Sequence, residues 1–462
     1  MNTENNNVTL NNHEKGEFKR VLGLGSLVMF GLAYMAPTVV FNYYGNITVV
    51  SQGMYATCIL CTAIAMFFTA FSYANMTKAY QLSGSAYVYV QKSINPHLGF
   101  LTGWVMLLDY LLLPMVCYLC VAVYLEAYVP GIPAWLWVVI LVLICFVINA
   151  FGISNTAKVD TIIVGAQILM MLVFITIGII VTCKGGINGT GNGLFDPTAF
   201  YNPDLFEVKL IMYPAAILCV SFLGFDAVST LSEEAKDAEK NVPKAIILTC
   251  LGAGLLFTII AYISQVVWPV GYQEIEDPDT GIFQLLSMFP YIPHLDVIFL
   301  VIDNVGSVAC ALSGQAAVVR IMYNMGRDNI LPKKIFGKMS KKHGVPIYNL
   351  IMVSCVGLVA IFFTDYVLSG AELVSFGAIT GFILVNLSVP MHYLKKKGER
   401  GAKAIFMYGV MPAIGIIVCS VLWWNIAPKG KIIGFIWLAV GVIVLAIQTK
   451  GFRQLPPEMD ID

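Results

Sequence analysis

The chain of 462 residues is 58% hydrophobic and only 12% charged. Soluble domains carry about 25% charged residues, so this chain has too little polar surface for a water-facing globule, and a soluble enzyme is excluded. Its 27 basic and 27 acidic residues cancel, so no excess of positive charge indicates nucleic acid as a partner. Each crossing of a ~30 Å hydrocarbon core needs about 20 apolar residues, and the composition is that of a membrane protein with many crossings.

The first 20 residues are polar and rich in asparagine, which predicts a short disordered tail over 1–20. Twelve apolar stretches follow, and a second short tail is predicted at 449–462. The sequence therefore predicts an all-α polytopic membrane protein with twelve spans. In chain order they lie at about 21–49, 54–74, 99–125, 133–152, 159–182, 209–232, 242–267, 294–318, 347–364, 370–394, 404–427 and 432–448.

The basic residues are distributed unevenly between alternate connections. With both termini inside, only four of the 27 Lys and Arg fall in outer segments: Lys184, Lys209, Lys429 and Lys431. Cytoplasmic connections are enriched in Lys and Arg, so both termini are predicted to be cytoplasmic, in a protein of the cell membrane. The inner connection 75–98 is amphipathic and is predicted to lie near the membrane surface.

Two predicted spans carry helix-breaking residues near their middle. The first span contains Gly31 and Pro37, and the sixth contains Gly224 beside Asp226. In lipid every backbone polar group needs a partner, so interruptions occur where the freed groups line a cavity or meet a ligand. If spans one to five and six to ten are two copies in opposite orientation, each broken helix is the first of its copy. Transporters with inverted repeats show this pattern.

Four motifs along the chain form a recognisable set. They are GLAYMAP (31–37), QKSINPH (91–97), LLDYLLLPM (107–115) and SFLGFDAVSTLSEE (221–234). Together they resemble the amino acid, polyamine and organocation transporter superfamily, and most of all its bacterial putrescine importers. The resemblance implies a five-plus-five inverted-repeat fold with a substrate site between spans one, three, six, eight and ten. The repeats would cover 21–182 and 209–394, with two extra helices over 404–448.

The predicted substrate-binding residues lie at the two breaks and on the facing third span. A carboxylate at mid-membrane costs about 2.5–3.5 kcal/mol, so Asp226 is expected to have a partner. It either receives a substrate ammonium or gates access, or it braces freed backbone N–H groups. Tyr110 is the ring expected to supply cation–π attraction, worth about 0.5–2 kcal/mol, the alternative being packing. The full set is Ala33, Tyr34, Met35, Ala36, Tyr110, Phe222, Gly224, Phe225 and Asp226.

Four further residues are predicted to act in coupling or gating. Asp109 in the third span binds amine or proton, or bonds a neighbouring helix. Gln167 occupies a place where the resemblance implies a sodium-replacing lysine in some relatives, so lysine-based coupling is not expected. Asp303 in the eighth span is a second amine or proton site, or one half of a structural pair. Glu233 closes the sixth span beside Lys236, where ion pairs are expected.

The sequence predicts a secondary active importer of a small organic cation, with putrescine as the leading substrate and protons or exchange as the driving force. No phosphate-binding loop for ATP is present. The C-x-x-C pairs at 58–61 and 117–120 lie in apolar spans and indicate packing, so no metal or cofactor is expected. Pro37 has no N–H for a substrate carboxylate, which favours an amine. The alternative is an amino acid permease that uses the remaining amides; the oligomeric state stays open.

Overall fold

The structure is a computed structural model that describes residue 20 and residues 22–81, 85–151, 156–327, 331–340, 345–364 and 367–456. Side chains at 156–160 and 324 are outside this description, as are most of the two predicted tails. Within the described chain the fold is helical, and its one isolated bridge joins Leu22 to Ala235.

The first half of the described chain contains eight α-helices. They are α1 (Leu24–Met35), α2 (Val39–Asn42), α3 (Tyr44–Val50), α4 (Tyr55–Ala79), α5 (Ser85–Ser93), α6 (Pro96–Tyr128), α7 (Ala134–Ala150) and α8 (Thr156–Cys183).

Eleven α-helices are described in the second half. They are α9 (Val208–Leu218), α10 (Ala238–Val267), α11 (Gly271–Glu274), α12 (Gly281–Ser287), α13 (Leu295–Arg327), α14 (Lys333–Phe336), α15 (Ile347–Gly357), α16 (Val367–Pro390), α17 (Ala402–Ile405), α18 (Met411–Asn425) and α19 (Pro428–Gln448).

Ten helical segments of the described chain are long and apolar enough to cross a membrane. Two shorter apolar helices, Ala134–Ala150 and Ile347–Phe363, coincide with the fourth and ninth predicted spans. A multi-pass, all-helical membrane protein is therefore confirmed, and ten of the twelve predicted spans reach spanning length.

The third span, α6, forms the centre of the helix packing. In its most apolar stretch 94% of the residues are buried, against 22% for α18 and α19. Helices in lipid associate by close contact at small residues, and α16 approaches α6 at Gly377 while α19 approaches it at Gly441. The central position of α6 surrounds Asp109 and Tyr110 with other helices.

The connection around α5 differs from its prediction. Its amphipathic pattern predicted a place near the membrane surface, whereas eight of its nine residues are buried. α5 packs against α6 and α16, and the hydroxyl of Ser229 donates a hydrogen bond to the Ser85 hydroxyl at 2.9 Å. A helix inserted between other helices also needs one polar and one apolar face, so the pattern alone does not separate the two locations.

Candidate functional site

The first span is interrupted partway along its length. α1 ends at Met35, Ala36 adopts a left-handed conformation (φ 47°, ψ 84°), and α2 begins at Val39. Pro37 lacks the N–H that a continuing helix would use, and few residues other than glycine adopt the left-handed region. The break therefore falls within the motif that predicted it, and Ala36 is the residue at which the chain turns.

The sixth span is interrupted where it contacts the first break. α9 continues as a 3-10 helix to Phe222, and Leu223 is then extended (φ −64°, ψ 123°). Gly224 has a φ of 141°, which glycine alone adopts readily. A β-carbon on Gly224 would lie 2.6 Å from the carbonyl oxygen of Gly31 and 2.7 Å from Cγ of Met35. The absence of a side chain at Gly224 thus lets the two breaks meet.

Asp226 follows the second break and is almost fully buried. Its Oδ1 accepts a hydrogen bond from the backbone N–H of Gly224 at 3.0 Å. Its Oδ2 accepts one from the Tyr110 hydroxyl at 3.4 Å, which is long for an O–H donor. The contact with Gly224 is the one that a backbone brace makes, and the backbone amides of Asp226 and Ala227 also act on the carboxyl group.

Asp109 and the tyrosines form one cluster with Asp226. The two carboxylates lie within electrostatic range of each other, and Tyr34 and Tyr110 lie within range of both. The Tyr34 hydroxyl is buried without a hydrogen-bond partner in the described chain. The Tyr34 carbonyl accepts a hydrogen bond from the Cys310 thiol at 3.1 Å. Spans one, three, six and eight therefore meet at this cluster.

Two residues that the sequence analysis missed also lie at this cluster. Tyr73 of α4 is within electrostatic range of Asp109 and Asp226, and its buried hydroxyl has no partner among the described residues. On α16, a β-carbon at Gly377 would lie 3.2 Å from the backbone nitrogen of Asp109. A single tyrosine and a single glycine are ordinary in membrane helices, so neither gave a usable signal.

The phenylalanines of the second break take part in aromatic packing. The ring of Phe225 lies 5.9 Å from that of Tyr73 and 5.5 Å from that of Phe382. Phe222 packs against Phe257 of α10, with ring centroids 5.5 Å apart. These contacts hold the broken helix in place, and a direct contact of either ring with substrate stays a prediction.

Gln167 of the fifth span lies against the first break. Its Nε2 donates a hydrogen bond to Oγ1 of Thr38 at 2.8 Å, and only glycine at position 306 leaves room for its side chain. A cavity of about 10 Å³ borders Gln167, Ala33 and Ser313, which is close to the space that one water needs. Spans one, five and eight thus border a small, mostly apolar cavity beside the break.

Asp303 of α13 is buried, with 1% of its surface exposed. Neither of its carboxyl oxygens makes a well-formed hydrogen bond within the described chain, but the side chains of Thr38 and Asn42 lie close enough to act as weak donors. The structure therefore separates Asp303 from the pair Asp109 and Asp226, and gives it different neighbours.

Backbone hydrogen bonds join the start of the first span to the end of the sixth on the predicted cytoplasmic side. The N–H of Leu22 donates to the carbonyl of Glu234 at 3.0 Å, and the N–H of Lys236 donates to the carbonyl of Leu22 at 2.8 Å. We call these two bonds the inner latch. Glu233 adjoins the latch, which is the location predicted for a gating residue.

A side-chain contact joins the first span to an outer loop on the opposite side. Nδ2 of Asn46, in α3, donates a hydrogen bond to Oδ1 of Asp279 at 2.7 Å. Burial of the Asp279 carboxyl raises its pKa above the usual value, and nearby Asp277 raises it further, while the bond from Asn46 opposes both effects. The outer loop that contains α11 and α12 is thereby fastened to the outer half of the first broken helix.

Within the described residues no three His, Cys, Asp or Glu side chains come together as a metal site. The cysteines of the two C-x-x-C pairs, Cys58, Cys61, Cys117 and Cys120, are free thiols and lie in α4 and α6.

Comparisons with known proteins place this chain among permeases. The amino acid permease family model matches residues 26–452. The low-affinity putrescine importer PlaP of Escherichia coli (strain K12) is 37% identical, over 98% of this chain and 99% of the relative. From Bacillus subtilis (strain 168), the methylthioribose transporter is 25% identical over 93% of this chain and 92% of its own. The branched-chain amino acid permease BcaP of the same organism is 24% identical over 95% of this chain and 94% of its own.

Proposed function

Since the chain belongs to the amino acid permease family, we propose that it imports a small organic cation, with putrescine as the leading substrate. The family resemblance seen in the motifs is thereby confirmed, and the chain is a membrane transporter rather than an enzyme. The relative that is 37% identical over nearly the whole chain is a putrescine importer, which supports an amine over the other substrates of the family.

One observation at the site carries this proposal. Asp109 and Asp226 are buried near each other, and the groups that act on them within the described chain are tyrosines, backbone amides and one another. Buried charges are normally paired, and two neighbouring acids without a basic partner suit a ligand that brings positive charge. A diamine has an ammonium group for each carboxylate, and the ring of Tyr110 lies beside both.

An amino acid permease is the second candidate. The α-carboxylate of an amino acid substrate would need free backbone N–H groups at the first break. Pro37 has no N–H, and the N–H of Ala36 already donates to the carbonyl of Ala33 at 3.2 Å. The family and the permease BcaP keep this candidate open. The chemistry of the break favours the amine.

Transport would proceed by alternating access about the two breaks. The proposed arrangement has two inverted repeats of five helices, over 21–182 and 209–394, with two extra helices over 404–448 and both termini in the cytoplasm. The contact of Gly224 with the first break supports a shared centre for the repeats. Opening of the inner latch, or of the contact between Asn46 and Asp279, would expose that centre to one side at a time.

Substrate competition in proteoliposomes tests the substrate. We expect saturable uptake of radiolabelled putrescine that other short diamines inhibit and that neutral amino acids do not. Uptake should respond to a proton gradient or to internal amine, not to sodium. Saturable uptake of amino acids with no uptake of diamines would establish the second candidate instead, and strict sodium dependence would refute proton coupling or exchange.

Tyr110 provides a test of ring recognition within this site. Tyr110→Phe keeps the ring face and loses only a 3.4 Å hydrogen bond, so the half-saturation concentration should rise by about threefold or less. Tyr110→Leu removes the ring and should raise it by about tenfold or more. Uptake by proteoliposomes over a range of putrescine concentrations measures both effects.

The matched control is Tyr118→Leu, which removes a buried ring from the same helix beside Gly357. This variant reports the cost of lost packing alone. If Tyr110→Leu transports no worse than Tyr118→Leu, Tyr110 is a packing residue and the assignment in the third span is wrong.

A further inference from the structure

Asp303 lies in a group of buried polar atoms that the proposed substrate site does not use. Both of its carboxyl oxygens lack hydrogen-bond partners in the described chain, and so do Oδ1 of Asn42 and the hydroxyl of Tyr124. Tyr124 and Cys120 of α6 lie within electrostatic range of Asp303. Four unsatisfied polar atoms at one place are unusual, since buried polar groups are normally hydrogen-bonded.

The groups described around Asp303 offer hydrogen bonds but no positive charge. The first span contributes Thr38 and Asn42, and α6 contributes Cys120 and Tyr124. From the outer loop, Asp279 lies within electrostatic range of the same Cys120 and Tyr124, so this further group is also an acid. Burying a charge without an opposite charge beside it is costly.

Asp303 is buried, and it does not line the small cavity that lies near it on α13. The cavity of about 10 Å³ lined by Gln167 and Gly306 lies one helical turn along α13 and has room for about one water. An amine of several carbons does not fit there. A metal cation would need a full shell of oxygen atoms, drawn from those of Asp303, Asn42 and Tyr124. A proton needs no such shell.

We propose that Asp303 is the proton-carrying site of this transporter, separate from the two carboxylates that receive the substrate. This inference rests on the proposed function, and it assigns coupling to a residue that does not contact the amine. In the closed conformation the Asp303 carboxyl holds one proton on an oxygen atom. The O–H bond forms with a proton from water on the outer side and breaks to water on the inner side, so one proton moves inward in each cycle.

The first span links this site to the outer contact. Thr38 and Asn42 face Asp303, and four residues further along the same chain segment Asn46 bonds to Asp279. When Asn46 leaves Asp279, the outer half of the first span moves away from α13 and water reaches the carboxyl. Re-forming the contact expels that water and traps the proton, so proton binding and outer closure occur together.

Proteoliposomes separate this role from substrate binding. One measurement follows exchange of labelled putrescine at equal pH on both sides, which needs no net proton movement. A second follows accumulation driven by an inward proton gradient at a clamped membrane potential. We expect Asp303→Asn to retain exchange and to lose the gradient-driven accumulation, which should fall to the level seen without a gradient.

Asp296→Asn is the matched control, because it makes the same change on α13 where the carboxylate already accepts a hydrogen bond from Tyr128. It should retain the response to the gradient. Accumulation by Asp303→Asn that equals that of the unmodified protein overturns the proposal. Loss of both exchange and accumulation in an inserted, folded Asp303→Asn also overturns it, because Asp303 would then serve the substrate or the fold.

Infrared difference spectroscopy on the unmodified protein tests protonation directly and does not depend on the substrate. A protonated carboxyl has its own carbonyl band, which should disappear in Asp303→Asn and shift in Asp303→Glu. If Asp303→Asn does not insert into the membrane, Asp303→Glu still decides the test. A carbonyl band that is unchanged in Asp303→Glu overturns the proposal. If the unmodified protein does not exchange putrescine, the proposed substrate is wrong. The infrared measurement would still decide whether Asp303 carries a proton.

Discussion

Replacing Asp226 by asparagine is expected to abolish putrescine uptake in a protein that still reaches the membrane. Asparagine has nearly the same shape, and its oxygen can accept the 3.0 Å hydrogen bond from the N–H of Gly224, so the backbone contact survives. Only the negative charge is lost. Removing one partner of a buried charged pair costs about 2–5 kcal/mol, which weakens substrate affinity by a factor of about 30 or more.

Uptake assays on equal amounts of inserted protein measure this effect. Glu372→Gln is the matched control, since it also neutralises a mostly buried acid in a membrane span, one that accepts a hydrogen bond from Tyr213 at 2.6 Å and lies away from the breaks. The control should transport normally. An Asp226→Asn protein that is inactive only because it does not reach the membrane would establish the brace role for this residue.

Gly224→Ala is expected to cause the second largest loss of transport activity. The loss arises from the backbone conformation and not from a change of charge. The φ of 141° at Gly224 strains any residue with a side chain, at about 1–3 kcal/mol. The added carbon would also lie 2.6 Å from the carbonyl oxygen of Gly31, well inside contact distance. The two breaks must then separate, which lowers both transport and the thermal stability of the purified protein.

Thermal unfolding and uptake of the same preparation measure the two consequences. Gly252→Ala in α10 is the control, because nothing lies within 4 Å of the carbon it adds. In a helix this change should be neutral or stabilising by up to about 1 kcal/mol. A Gly224→Ala protein as stable and as active as the control would show that the close contact of the breaks is dispensable.

The breaks could be located from the sequence because they result from local backbone chemistry. Pro37 removes a hydrogen bond wherever it stands, and Gly224 beside the charged Asp226 is conspicuous within an apolar run. The family motifs added the expectation that these spans meet. The contact of Gly224 with Gly31 and Met35 agrees with that expectation.

Other parts of the site depend on tertiary contacts that no local pattern records. Tyr73 faces the acids because α4 is rotated that way in the packed bundle. Gln167 could be placed at the fifth span by resemblance, but its bond to Thr38 depends on how α8 packs against the break. The burial of α5 was missed because a pattern of polar and apolar faces fits a groove between helices as well as a membrane surface.

The inner latch consists of main-chain atoms, so its strength is almost independent of which side chains Leu22, Glu234 and Lys236 carry. Substitutions at these positions can therefore accumulate in evolution, and an alanine scan would pass over them without effect. Insertions and deletions are different, because one added or lost residue shifts every N–H away from its carbonyl. Selection on this part of the permease therefore acts on the length of the chain, and only weakly on which amino acids occupy these positions.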